Sequence, residues 1–329
     1  MKKLHLTTWL FSALLLFTAC EADDNDKLPG NPGGGGEKVG SGALTVTNGT
    51  STDQTNKNKN VTGNDNLDTR YEIPHIIGGT DNYILVRSTT AYGINYIIEW
   101  NNTKKAQRWT ALQFYNGNSG SSWNRNYWAQ QTNNEWAMKN LQDYGYADPF
   151  QPDPDLPASV RTELSDYKGS GYSRGHICAS ADRLNSMEAN EQTFYLSNMM
   201  PQTSKLNEGT WANMENQVRK WNDSKYRETL YVVKGGTIDD AHLLSKSRTG
   251  LNVPEYFYMG IVSKLGDKYR GIAFILEHNN PGNSAAPKNY VFTIDQLEQL
   301  TGIDFFCNLP DNIEDEVEKS VDRSFWGMN

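Results

Sequence analysis

The apolar residues of this chain fall into short runs separated by polar breaks, and most runs carry strand signals. Tyr83-Ile84-Leu85-Val86, Tyr96-Ile97-Ile98-Glu99-Trp100 and Trp109-Thr110-Ala111-Leu112-Gln113-Phe114 are rich in β-branched and aromatic residues. Polar breaks such as Asn101-Asn102 predict antiparallel neighbours, and Asn116-Gly117-Asn118-Ser119-Gly120 ends the series. Further strands are expected over Thr229 to Gly236, Pro254 to Val262 and Tyr269 to Glu277, with short helices over Asn134 to Gln142 and Ile294 to Leu300. A longer helix follows Leu206: at about 100° per residue, Trp211, Met214, Val218 and Trp221 share an arc of about 80°. Glu215 and Arg219 lie off one edge of that stripe, and Asn207 projects near Trp211 at the helix start. The pattern predicts an α+β fold, a central antiparallel sheet with flanking helices.

The pattern stops toward the N-terminus. Lys2 and Lys3 precede an apolar stretch, Leu10 to Phe17, too short to span a bilayer, so residues 1–19 read as an export signal. Phe17-Thr18-Ala19-Cys20 resembles a bacterial lipobox, with Cys20 the lipidated first residue of the mature chain. That implies a membrane partner through a lipid anchor at the cell envelope, in the outer membrane. The acidic run Glu21 to Asp26 fits either a surface-export tag or a solvated tether. Residues 20–72 are dominated by Gly, Asn, Thr, Asp and Lys, too poor in apolar surface to offset ordering entropy, and are expected as a flexible linker. Residues 73–329 suit one large domain.

Charge changes the picture little. The 329 residues carry a net charge of −8, which argues against tight binding of nucleic acid by bulk attraction. It does not exclude an enzyme that must release a polyanionic product.

The chemistry is concentrated in three blocks between Gly171 and Arg219. Ser173-Arg174-Gly175-His176 supplies one histidine, a candidate general base. Tyr195 to Gln202 holds Ser197, Asn198, Pro201 and Gln202. Leu206 to Arg219 holds Asn207, Trp211, Glu215 and Arg219. Side-chain amides offer neutral oxygens for a hard cation, and the arginines 174, 183 and 219 could hold a phosphate. No zinc-type Cys/His spacing, Walker loop or dinucleotide fingerprint is present.

In order and spacing these blocks resemble the DNA/RNA non-specific endonucleases of the ββα-metal kind, a family that includes secreted sugar-non-specific nucleases and endonuclease G. Ser173 departs from the pattern, since a carboxylate is usual there. The resemblance implies one divalent ion per site, usually Mg²⁺ with Mn²⁺ as the other candidate, held by Asn207 and otherwise by water and phosphate. It implies His176 as general base, Arg174, Glu215 and Arg219 in the catalytic site, and Asn198 and Gln202 as supports that hold the loop by hydrogen bonds. DNA and RNA would be held through their phosphates and cut to 5′-phosphate ends with little regard to base sequence. No obligate protein partner is implied. The family's upstream phosphate-contacting arginine has a counterpart in Arg125, which reads equally as an exposed surface residue. Gly175 is expected to leave room for a phosphate backbone.

Other readings stay open. Asn207 also fits an N-cap, and Glu215 with Arg219 an i,i+4 ion pair. A surface lipoprotein that grips nucleic acid or glycan without cutting would share the same blocks. With Cys20 lipidated, Cys178 and Cys307 remain, and export predicts a disulfide between them, closing a loop of roughly 130 residues. Two buried free thiols are the rival.

Overall fold

A computed structural model describes residues 40–280 and 286–329. The export signal, Cys20 and the acidic run lie outside these residues. The strands are β1 (Gly42–Leu44), β2 (Asn82–Thr89), β3 (Gly93–Asn101), β4 (Ala106–Tyr115), β5 (Ser173–His176), β6 (Met199–Gln202), β7 (Thr229–Gly236), β8 (Leu243–Lys246), β9 (Asn252–Pro254), β10 (Tyr256–Leu265), β11 (Lys268–Glu277) and β12 (Val291–Phe292). Eight form one antiparallel sheet in the order β1-β2-β3-β4-β7-β10-β11-β12. β5 pairs with β6, and β8 with β9, as separate two-stranded units.

Both faces of the large sheet are covered, because both side-chain parities of its strands are apolar. Leu85, Ile98, Leu112, Val232 and Met259 point to one face, where Ile177, Trp211, Met214, Val218 and Trp221 pack against them. Ile84, Val86, Ile97, Val233 and Val262 point to the other, under Ile294, Leu297, Phe305, Phe306, Leu309 and Val317. Strands buried on both sides explain why the sequence shows continuous runs rather than alternation. The expected helices form at Glu135–Tyr144, Ala212–Trp221 and Ile294–Thr301. Among the described residues, no helix is long and apolar enough to cross a membrane.

Two expectations are corrected. The first is the linker over 20–72: its described part is packed from Gly42 onward. β1 extends the sheet with Gly42 opposite Val86 and Leu44 opposite Ile84. Asn60 is buried, takes the Ile76 amide at 2.9 Å and donates to the Pro74 carbonyl at 3.1 Å, while its own amide reaches Asn308 at 2.9 Å. Asn56 donates to the Leu309 carbonyl at 2.6 Å. Side-chain amides, which an apolar count ignores, hold this segment down.

The second is the disulfide. Both Cys178 and Cys307 are buried free thiols. Cys178 sits in the core on one face of the sheet, whereas Cys307 follows Phe305 and Phe306, which belong to the other face. The Cys307 sulfur receives a hydrogen bond from Asn60 at 3.4 Å. A sheet between the thiols leaves them beyond the Cα separation that a disulfide spans.

Candidate active site

A short hairpin and the helix after it place most of the motif residues. Ser173 lies opposite Gln202, Gly175 opposite Met200, and His176 opposite Met199. Asn198 braces this pair: its side chain takes the Cys178 amide at 2.9 Å and donates to the Cys178 and Thr193 carbonyls at 2.8 Å each. Gln202 does something else. A Cβ at position 175 would sit 2.3 Å from the Gln202 side chain, so Gly175 is small to let Gln202 lie across it. The space expected for a phosphate backbone is filled from within. Gln202 is fully buried and its amide makes no hydrogen bond, so it supports by packing, not by the bonds expected of it.

His176 ends β5 at the floor of a cleft of about 620 Å³. Its ring meets Phe194 edge-on at 5.1 Å and Phe150 at 5.6 Å, and its carbonyl accepts the Trp211 indole N–H at 3.0 Å. The backbone and ring are therefore fixed from two sides, yet Nε2 has no hydrogen-bond partner. Burial pushes the imidazole well below its ordinary pKa, helped by Arg125 and Arg174 and opposed by Asp182. The ring is neutral at physiological pH and can accept a proton.

Asn207 lines the same cleft. Its helix starts earlier than expected, so the N-cap reading fails. The Asn207 amide already bonds the Thr203 carbonyl at 2.9 Å, and the Thr203 hydroxyl takes the Leu206 amide at 3.4 Å. The Asn207 side chain makes no hydrogen bond to the described protein and is left for the cleft. Over Leu206–Trp211 the helix widens to a π turn before continuing as an α-helix. Such turns are frequent at functional sites, and a projection at α-helical pitch misplaces Asn207 across this one.

Further along, Trp211, Met214, Val218 and Trp221 are buried as the stripe predicted. Arg219 departs from expectation. Its ion pair is with Asp182 at 2.7 Å, and it donates to Asn216 at 2.8 Å; no Glu215–Arg219 ion pair forms. Asp182 is also bound by Lys234 of β7 at 2.8 Å, and both of those side chains are fully buried. Burial alone would raise the Asp182 carboxyl, but Lys234 and Arg219 bring it below its ordinary value. Burial pushes Glu215 up to about 7, with Lys234 and Arg219 opposing and Asp182 adding to the rise. Arg183 is structural: it donates to the carbonyls of Asn95, Asp182 and Gln113 from a buried position and is not free for a phosphate.

Two arginines close the arrangement. Arg125 lines the cleft despite its distance in sequence, its guanidinium held by both Asp148 oxygens at 3.0 and 2.6 Å and lying 4.9 Å from the Phe194 ring centre. Arg174 stacks 4.0 Å from the Phe150 ring centre, near Tyr146 and Tyr144, with no carboxylate within 4.0 Å among the described residues. No acidic residue lines the cleft, while Arg125, Lys168 and Arg174 do. The site is locally cationic in an acidic protein.

The sequence pattern of the DNA/RNA non-specific endonucleases matches residues 85–312, which span the sheet, the hairpin and the helix. The chain belongs to that family. It is a nuclease, a hydrolase. It is 34% identical over 253 residues to a nuclease of Nostoc sp., covering 74% of this chain and 80% of that protein. It is 29% identical over 170 residues to human mitochondrial endonuclease G, covering 49% of this chain and 56% of that protein. A solved EndoG in complex with EndoGI shares the fold with a TM-score of 0.54 at 21% identity, over 69% of this chain and 88% of that one.

The nuclease also uses residues that its motifs did not reveal. Lys234 looks like one more residue of an apolar strand, and its reversed polarity inside Val232-Val233-Lys234 was the available signal. His278 is buried, accepts the Thr203 amide at Nε2 at 2.8 Å, and faces the Pro254 carbonyl through Nδ1 at 2.8 Å. An amide can only donate, so the His278 proton sits on Nδ1, and the neutral ring anchors the start of the helix bearing Asn207. Nothing local in the sequence marks that role.

Proposed function

We propose that this nuclease hydrolyses phosphodiester bonds in DNA and RNA without base selectivity, leaving 5′-phosphate ends, with His176 as general base. The observation that carries the reading is a neutral, immobilised and partly exposed His176 in a cleft that also presents Asn207 and two guanidiniums. Arg125 and Arg174 attract the substrate phosphate, and contacts to phosphate carry no base information. His176 takes a proton from the attacking water. Asp182 fixes the Arg219 guanidinium, which does not line the cleft but a neighbouring depression with Asn216 and Lys220. Burial raises the proton affinity of Glu215, which lies in the field of Lys234, Asp182 and Arg219.

The residues fit a divalent ion. Asn207 offers a neutral hard oxygen with no competing hydrogen bond, and a single protein ligand suits Mg²⁺, which keeps its waters, or Mn²⁺. When bound there, the ion would supply Lewis-acid stabilisation of charge on the phosphoryl and leaving oxygens.

Plasmid and RNA digestion by wild type and Asn207→Ala, with Mg²⁺ or with EDTA, tests the assignment. Cutting is expected only with metal, and the variant should lose most activity. Undiminished cutting in EDTA, or retardation of DNA without shortening, would overturn it. We further propose anchoring to the bacterial outer membrane through lipidated Cys20. Incorporation of labelled fatty acid into wild type but not Cys20→Ser is the check.

A further inference from the structure

On the face of the sheet away from the cleft lies a second concentration of charge. Asp295 and Glu298 come from the helix Ile294–Thr301, Asp304 from the segment after it, and Glu314 and Glu318 from the helix Asp311–Lys319. One oxygen from each of Asp304, Glu314 and Glu318 lies within 4.8 Å of the others, and Asp295, Glu298 and Glu318 meet the same limit. Glu318 belongs to both groups. Glu314 and Glu318 are one helical turn apart, where like charges repel.

Two of the set are buried, the other three are partly exposed, and none is paired with a lysine or arginine. Glu314 is 5% exposed and Glu318 8%. Among the described residues no lysine or arginine comes within 4.0 Å of any of the five carboxylates. Asn58 donates to Asp304 at 3.1 Å and Glu314 at 2.9 Å, and the Phe305 amide donates to Glu298 at 2.7 Å. Glu318 receives nothing, and its Oε1 is buried without a partner. A buried carboxylate oxygen bonded to no donor and close to two other acids is costly unless it holds a proton or faces a cation. The basic group beside the cluster, His75, faces Asp304 and not Glu318.

We infer that Asp304, Glu314 and Glu318 hold a calcium ion, with Asn58 bracing two of the three carboxylates from the N-terminal segment. Oxygens each 2.3–2.6 Å from one Ca²⁺ lie at most about 5 Å apart, and the observed spacing fits. The donors are all hard oxygens, with no nitrogen or sulfur to favour zinc. Several crowded carboxylates suit the high, flexible coordination of calcium better than the strict octahedron of magnesium. Without the ion, burial holds protons on the cluster, raising Glu314 to about 8 and Glu318 to about 10. The site would staple residue 58 to residues 304–318, tying both ends of the domain together away from the chemistry.

The test uses the full chain stripped with EDTA and dialysed, titrated with CaCl₂ by calorimetry and melted with Ca²⁺, Mg²⁺ or neither. One calcium per chain is expected, with Tm rising about 5–10 °C when calcium is at ~100-fold its Kd. Magnesium should give a smaller rise. Glu318→Gln and, separately, Glu314→Gln should lose the calcium heat and the calcium shift, while His176→Ala keeps both. In EDTA either variant should melt at or above wild type, because repulsion is relieved. No binding heat up to about 10 mM calcium, beyond the range of weak extracellular sites, would overturn the inference. So would an undiminished calcium shift in a folded Glu318→Gln or Glu314→Gln, or a cluster stabilised by low pH and indifferent to calcium. Titration of Asn207→Ala, whose active-site ligand is gone and whose calcium heat should persist, decides the matter even if a Glu314 or Glu318 variant fails to fold.

Discussion

The two faces of the sheet bury carboxylates under opposite conditions. On the cleft side, Asp182 is enclosed with Lys234 and Arg219 on its two oxygens, and its proton affinity falls. On the far side, Glu314 and Glu318 are enclosed with other acids and pair with no lysine or arginine, and their proton affinity rises. Burial costs both groups alike. The neighbours decide whether that cost is met within the chain or left for a proton or an ion to meet. A catalytic face whose charges must hold position for every substrate is served by the first arrangement. The second makes folding depend on what the solution provides.

The sharpest way to separate the faces is by turnover. His176→Ala should lower cleavage by about 10²- to 10⁴-fold while the chain still folds, whereas Glu318→Gln should leave cleavage untouched when metal saturates the active site. Next in size is Lys234→Met. It leaves Asp182 with the partly exposed Arg219 alone, and chemical denaturation should show a loss of about 3–5 kcal/mol. A loss below 1 kcal/mol would mean that the Asp182 charge is not held by Lys234.

The pH dependence of stability should then differ in sign. Asp182, with its folded pKa lowered, contributes stability above the ordinary Asp value of about 3.9 and loses it as pH falls. Glu314, with its folded pKa raised to about 8, contributes stability that is full below the ordinary Glu value and is lost as pH rises toward 8. In EDTA the wild-type Tm should therefore fall between pH 5 and about 8, and Glu314→Gln should flatten that fall. The smallest effect concerns the cleft. The acid limb of the rate profile should lie below the ordinary histidine value of about 6.5, and Arg125→Ala should move it upward without restoring that value, since burial, the larger cause, remains.

Much of this could be read from the chain. The strand runs around Ile84, Ile97, Leu112 and Val232 became the sheet because β-branched and aromatic runs have few other places to go. His176, Asn207 and Asn198 stood out because their spacing is set by a hairpin and a helix, both local structures. Legibility ended where partners are distant in sequence. Asp182 and Lys234 are 52 residues apart, and Asn58 and Glu314 are 256 apart. The N-terminal segment was misread because its anchors are asparagines, whose bonds depend on what they face. Gln202 was misread because its place over Gly175 depends on the strand register, which no composition reveals.

The widened turn over Leu206–Trp211 carries a further consequence, for insertions and deletions. A substitution in that turn alters one side chain. Removing a single residue there, Gly209 for instance, would let the segment close to α-helical pitch with its flanks nearly in phase, because the wide turn holds one residue more than an α-helix needs. Removing one from the α-helix between Trp211 and Glu215 would instead rotate everything before it by about 100° relative to Glu215 and Arg219. Asn207 would keep its identity and lose its aim. Chain length between Trp211 and Glu215 is therefore constrained as tightly as the chemistry, while the wide turn before it can absorb the loss of one residue.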